Sequence, residues 1–218
     1  YDLDMDEEIT IIDSKTRNEK IKNFFIKNSK KFIVIIIIIF LIIAGYLFYE
    51  KAKEKKRIKL ANQYDLSLIN FKAENKKKTI NELIGIINKK DTTYSPLALY
   101  FLIDNNLIED TKEVNILFNK LIDETNLQSE IKNLIIYKKA LFNSEFVSES
   151  ELLKILNPII NSESIWKSHA LYLVAEYFYS KNEKQKAKEF FNQIILLPTN
   201  NNDIRLESQK RLNRDFGE

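Results

Sequence analysis

Between Phe32 and Tyr49 the chain runs for eighteen residues without a charged side chain, and Ile35 to Ile39 are consecutive isoleucines. No other feature narrows the possible folds so sharply. At ~1.5 Å per residue a helix of that length covers about 27 Å, close to the ~30 Å hydrocarbon core of a bilayer. Lys31 and Lys51 can reach to water and close the remaining gap, while Tyr46 and Tyr49 suit the interface. A buried core helix that is apolar on every side would need a complete shell of partners. A cleaved signal peptide also fits poorly, because thirty-one residues precede the run and no small-x-small site follows it. Residues 32–49 are therefore expected to form one permanent transmembrane helix.

Residues 1–31 are short and charged. They open on Asp2, Asp4, Asp6, Glu7 and Glu8 and turn basic from Lys15 onward. A calcium loop needs glycine at its sixth position, where Glu7 stands, and flanking helices, which the pattern does not suggest. An acidic disordered tail is the expectation. Ile21, Phe24, Phe25 and Asn28 stand at helical spacing beside lysines, as a surface amphipathic helix or as the start of the next helix. The chain opens on Tyr1 rather than methionine, which leaves room for residues ahead of it.

Basic flanks do not orient the span. Arg17, Lys20, Lys22, Lys27, Lys30 and Lys31 on one side match Lys51, Lys53, Lys55, Lys56, Arg57 and Lys59 on the other. Threading the long C-terminal part behind a signal anchor is easier than moving a charged free tail across. Residues 1–31 are thus expected inside the cell and residues 50–218 outside.

Composition closes several functional routes. The chain has no cysteine, which removes disulfides, thiolate metal sites and cysteine nucleophiles together. Its three glycines, Gly45, Gly85 and Gly217, are too far apart for a phosphate-cradling loop. They are also too few for a hairpin-rich fold. A net charge of +3 gives no chain-wide case for nucleic-acid binding. The single histidine, His169, rules out a multi-histidine metal site. No enzyme, cofactor or metal is expected.

From Glu50 onward the apolar period is helical, in short segments separated by polar breaks. Ala61, Tyr64, Leu68 and Phe71 step along one helix face, and Ile80, Leu83, Ile84 and Ile87 form the next. Asp91 to Ser95 reads as a break, with Ser95 capping a helix that has Pro96 at its first position. Leu97 to Leu102 precedes a gap at Asn105 and Asn106, and Val114 to Leu121 follows it. A third pair covers Ile131 to Phe142 and Leu152 to Leu156, ending near Pro158. The fourth runs from Trp166 to Tyr179 and from Gln185 to Leu197. A final charged helix, Asp203 to Arg214, is expected to be a solvated cap.

Four pairs in this space average about forty residues each, a repeat-like length. In the fourth, Leu171, Val174, Ala175 and Phe178 precede Asn182 and Glu183, then Ala187, Phe191 and Ile194, with Pro198 beyond. That is the spacing of a tetratricopeptide (TPR) unit. Ala175 and Ala187 would sit where the two helices cross closely, and the larger residues would fill the gaps between pairs. Ala98 and Ala140 hold the matching place in pairs two and three, whose second helices match poorly. The expected fold is all-α: a single N-terminal transmembrane helix, a TPR-like α-solenoid of about four helix pairs, and a C-terminal capping helix.

This layout, with Lys22-Asn23-Phe24-Phe25 before the anchor and the stretch Ile165 to Ile194, resembles the ancillary SecYEG translocon subunit family (YfgM-like). The likeness covers most of the chain in architecture and about fifty residues in motif. It implies a bacterial inner-membrane protein with a cytoplasmic tail at 1–31 and a periplasmic TPR-like domain at 50–218. It further implies partners in the SecYEG translocon and in a membrane-anchored parvulin-type periplasmic chaperone. The chain departs from the family in being much richer in Lys, Asn and Ile.

TPR positions that face the concave side fall on His169, Tyr172, Glu176 and Tyr179. Amphipathic rings beside a carboxylate suit a peptide or a protein domain, so these four form the candidate protein-binding groove. Co-chaperones that grip an acidic C-terminus carry Lys and Asn where Tyr172 and Glu176 stand, which disfavours that use. Two function classes remain: an accessory of the Sec translocon and its periplasmic chaperones, or an anchored scaffold for another envelope assembly.

Overall fold

The computed structural model describes residues 3–71, 75–198 and 201–217. Among the described residues every regular element is an α-helix, as expected, and no strand occurs. The chain separates into two compact units, residues 1–58 and residues 59–218.

The first unit is the body of one helix, α1 (Leu3–Ile69). It has neither proline nor glycine ahead of Gly45 to interrupt it. Helix therefore reaches back through the charged segment expected to be a disordered tail, and that expectation is corrected. From Ile33 to Tyr49 the large apolar side chains are 50–81% exposed. The helix is long and apolar enough to cross a membrane.

Among the described residues the second unit takes in the last turns of α1 and eight further helices. These are α2 (Lys76–Ile87), α3 (Tyr94–Asp104), α4 (Thr111–Glu124) and α5 (Ser129–Asn143). They continue as α6 (Glu149–Ile160), α7 (Lys167–Ser180), α8 (Lys184–Leu196) and α9 (Asn202–Phe216). Local chemistry sets their ends. Asp110, Ser148 and Asn201 accept hydrogen bonds from Lys112 N, Glu151 N and Asp203 N at 2.8, 3.4 and 2.9 Å. Lys90, Asn106 and Asn182 take left-handed φ values of 54, 50 and 62° where α2, α3 and α7 stop. In a chain so poor in glycine, asparagine supplies two of these turns.

Short connections reverse the chain each time, so every helix from α2 onward packs on the one before it in sequence or the one after. Next-but-one contacts join α5 to α7 and α7 to α9. The core falls into two clusters that meet within α5. One contains Leu60, Leu83, Leu99, Phe118, Leu121 and Ile135. The other begins at Ile136 and runs through Leu156, Phe178 and Phe191 to Leu212.

Two local expectations change. Ser95 is not the cap of α3, which starts one residue earlier. Its Oγ donates to Ile86 O at 2.8 Å and accepts from Asp91 N at 2.9 Å, fully buried. The capping role passes to Asp91, whose Oδ1 accepts from Thr93 N and Tyr94 N at 2.9 and 2.8 Å. The expected end near Pro158 holds, with α6 running two residues past it to Ile160. A last-turn proline sacrifices one bond, and Asn161 N still reaches Asn157 O at 3.1 Å. The last helix, α9, is not merely solvated: Ser208 and Leu212 are buried, and Phe216 packs on the second cluster.

Candidate functional site

The α7–α8 pair is the most closely packed part of the second unit. Leu171, Val174, Ala175 and Phe178 on α7, and Ala187, Phe191 and Ile194 on α8, are each no more than 1% exposed. Alanine at Ala175 and Ala187 leaves the space for two helices to approach, while Phe178 stacks on Phe190 with ring centres 5.5 Å apart. Outside this pair, Tyr177 Oη donates to Val147 O at 3.1 Å. Lys186 pairs with Glu149 at 2.9 Å and Glu183 at 2.8 Å, tying α8 to the start of α6.

The four residues expected to face a partner are partly exposed, and they divide into two groups. His169 lies 5.1 Å from the Trp166 ring and 5.9 Å from Tyr137, which itself stacks on Trp166. Burial pushes the His169 pKa below its ordinary value. Its Nδ1 is buried without a hydrogen-bond partner. The other three converge on a residue the sequence reading passed over, Arg211 of α9.

Arg211 Nη2 lies 3.0 Å from Glu176 Oε1, and its Nε lies 3.1 Å from Asp215 Oδ2. The guanidinium sits 4.3 Å from the centre of the Tyr179 ring and 5.6 Å from that of Phe191. Tyr172 packs edge-on against Phe191 at 5.5 Å, and Tyr179 against Phe216 at 6.0 Å. Only 12% of the Arg211 side chain is exposed. Burial, reinforced by the charges of Glu176 and Glu207, pushes the Tyr172 hydroxyl up to about 12. The face expected to greet a partner is therefore lined by the chain's own last helix. A signal for this was present: Ser208, Leu212 and Phe216 recur at four-residue spacing opposite the charged face of α9.

A cleft of about 360 Å³ lies between the end of α1 and α2, lined by Gln63, Ser67, Asn70, Glu82, Gly85 and Lys89. Within it Ser67 Oγ bonds Glu82 Oε2 at 2.9 Å and also Gln63 O at 2.9 Å, so its hydroxyl is already engaged. Among the described residues no group of three His, Cys, Asp or Glu side chains could hold a metal ion.

The described residues define the class: an all-helical protein with one helix of membrane-spanning length followed by a helical domain. No protein-family model matches the chain, and neither a curated protein nor a solved structure shows significant similarity to it.

Proposed function

We propose that residues 50–218 form a TPR-like α-solenoid with α9 as its cap, held at a bacterial inner membrane by the helix over 32–49. In this reading the N-terminus is cytoplasmic, the helical domain is periplasmic, and the protein is an interaction module rather than an enzyme. It serves as an accessory to the SecYEG translocon and to a membrane-anchored parvulin-type chaperone. The observation that carries the repeat reading is the complete burial of the seven residues at TPR spacing on α7 and α8. The partly exposed rims of His169, Tyr172, Glu176 and Tyr179, beside α9, would form the partner surface.

Mild detergent extraction followed by crosslinking and mass spectrometry tests the partners. Translocon subunits and a parvulin-like chaperone are expected. Their absence, with other envelope proteins recovered, would replace this reading with a scaffold for another assembly. Protease treatment of spheroplasts should digest residues 50–218, and full protection would reverse the orientation. Tyr172→Ala combined with Tyr179→Ala should lower partner recovery, and unchanged recovery by a folded double variant would remove the groove assignment.

A further inference from the structure

The two ends of the apolar segment carry basic residues with an unusual distribution around the helix. After it come Lys51, Lys53, Lys55, Lys56 and Arg57, all exposed. At about 3.6 residues per turn, Lys51 and Lys55 fall on one side of α1, Lys53 and Lys56 on the opposite side, and Arg57 beside Lys53. Before it, Lys27 and Lys31 share a side, Lys22 lies opposite and Lys30 lies between, again all exposed. The set after the segment encircles the helix as a collar, and the set before it spreads over about half of the circumference as a half-collar, too broad for a single stripe.

The shape of a charge distribution indicates what it meets. A protein partner approaches a helix from one side and selects a stripe of like residues along that side. A headgroup layer surrounds an emerging helix on every side and matches a collar. The depths agree too: the collar and the half-collar span about 9 and 13 Å along the axis, enough to cross a headgroup layer roughly 5–7 Å deep on each face. Glu50 and Glu54 reduce the collar to a net excess of three positive charges, and no acid interrupts the half-collar between Lys22 and Lys31. Lysine stems can also lie along the apolar surface while their ammonium groups reach the phosphates.

We propose that both sets bind the headgroups of anionic phospholipids, so that the chain gathers them around itself in both leaflets. This rests on the reading of residues 32–49 as a membrane span.

The test uses the full chain reconstituted in phosphatidylcholine vesicles containing trace spin-labelled phosphatidylglycerol or spin-labelled phosphatidylcholine. Electron paramagnetic resonance gives the fraction of each label slowed by the protein. The phosphatidylglycerol preference is expected to be about threefold, as befits several basic residues at the surface, and to fall with added salt. Replacing Lys51, Lys53, Lys55, Lys56 and Arg57 by Gln should remove part of the preference. Replacing Lys22, Lys27, Lys30 and Lys31 by Gln should remove another part, and the ninefold variant should show none. Equal slowing of both labels by the unaltered chain would overturn the proposal, as would a preference that survives in the ninefold variant. If neither label is slowed at all, the membrane span itself is refuted.

Discussion

Two helices of this chain are rich in large apolar residues and put them to opposite uses. Along α1, every large apolar side chain from Ile33 to Tyr49 is at least half exposed. Along α7, Ala170, Leu171, Leu173, Val174, Ala175, Tyr177 and Phe178 are each at most 8% exposed. The contrast is not one of apolar content but of what surrounds it. In α7, the apolar residues alternate with Tyr172, Glu176 and Tyr179, and neighbouring helices cover the apolar part. In α1, isoleucine occupies every angular position, and no single partner helix could cover them all. A helix apolar all round needs an apolar surround on every side, either a bilayer or a complete shell of protein.

Substitutions at matched positions can break that comparison. Phe178→Ala or Phe191→Ala should cost about 3–5 kcal/mol, since each removes a fully buried ring from the second cluster. Ile38→Ala in α1 should change the stability of the helical domain by less than about 0.5 kcal/mol. Urea unfolding of the full chain in detergent, followed by the emission of the single tryptophan, Trp166, would measure both. A large cost at Ile38 would mean that protein, not lipid, covers the span.

Charge gives the converse. Ile38→Lys places an ammonium near the centre of the apolar segment and should oppose insertion by about 2.5–3.5 kcal/mol. The readout is the fraction of chain that resists carbonate extraction from membranes. Unchanged partitioning would show that residues 32–49 do not lie in hydrocarbon.

A smaller effect probes the close crossing within the α7–α8 pair. Ala187→Leu adds volume where the side chain is completely buried, and overpacking there should cost about 1–3 kcal/mol. On the proposed membrane span the same change at Ala44, in α1, should be neutral, because lipid yields where a packed core does not. Equal costs at the two sites would erase the distinction between them.

How far these features were legible in the sequence depends on range. The apolar span and the helix pairs rest on residues close in sequence, so periodicity alone located them. Ser95 shows where that stops: a serine ahead of a proline reads as a cap, yet a carbonyl nine residues back, Ile86 O, holds its hydroxyl instead. The tail failed for a related reason, since charge alone argued for disorder while an unbroken run of helix-compatible residues carried α1 back to Leu3. Arg211 marks the longest reach. Its partners Glu176 and Tyr179 lie on α7, two helices away, and only the return of α9 onto α7 brings them together.

That return leaves a titratable signature, the smallest of the expected effects. Tyr172 ionises at about 12 in the folded chain because of its burial first and the nearby carboxylates of Glu176 and Glu207 second. In the unfolded chain its hydroxyl loses its proton near the ordinary value of 10. Below pH 10 both states hold the proton, and the contribution to stability is fully present. Between pH 10 and 12 the unfolded state releases it first, so stability falls as pH rises. Tyr100, Tyr137 and Tyr64 shift in the same direction and add to the slope. Tyr172→Phe should therefore remove only a share of the alkaline loss, visible as a shallower fall in urea midpoint across that window. Arg211 acts oppositely, its positive charge favouring the phenolate. Arg211→Ala should move the Tyr172 titration, read by ultraviolet difference spectroscopy against Tyr172→Phe, further upward. A Tyr172 titration unmoved by Arg211→Ala would mean that α9 does not lie against α7 in solution, leaving that face of α7 as open as the sequence alone suggested.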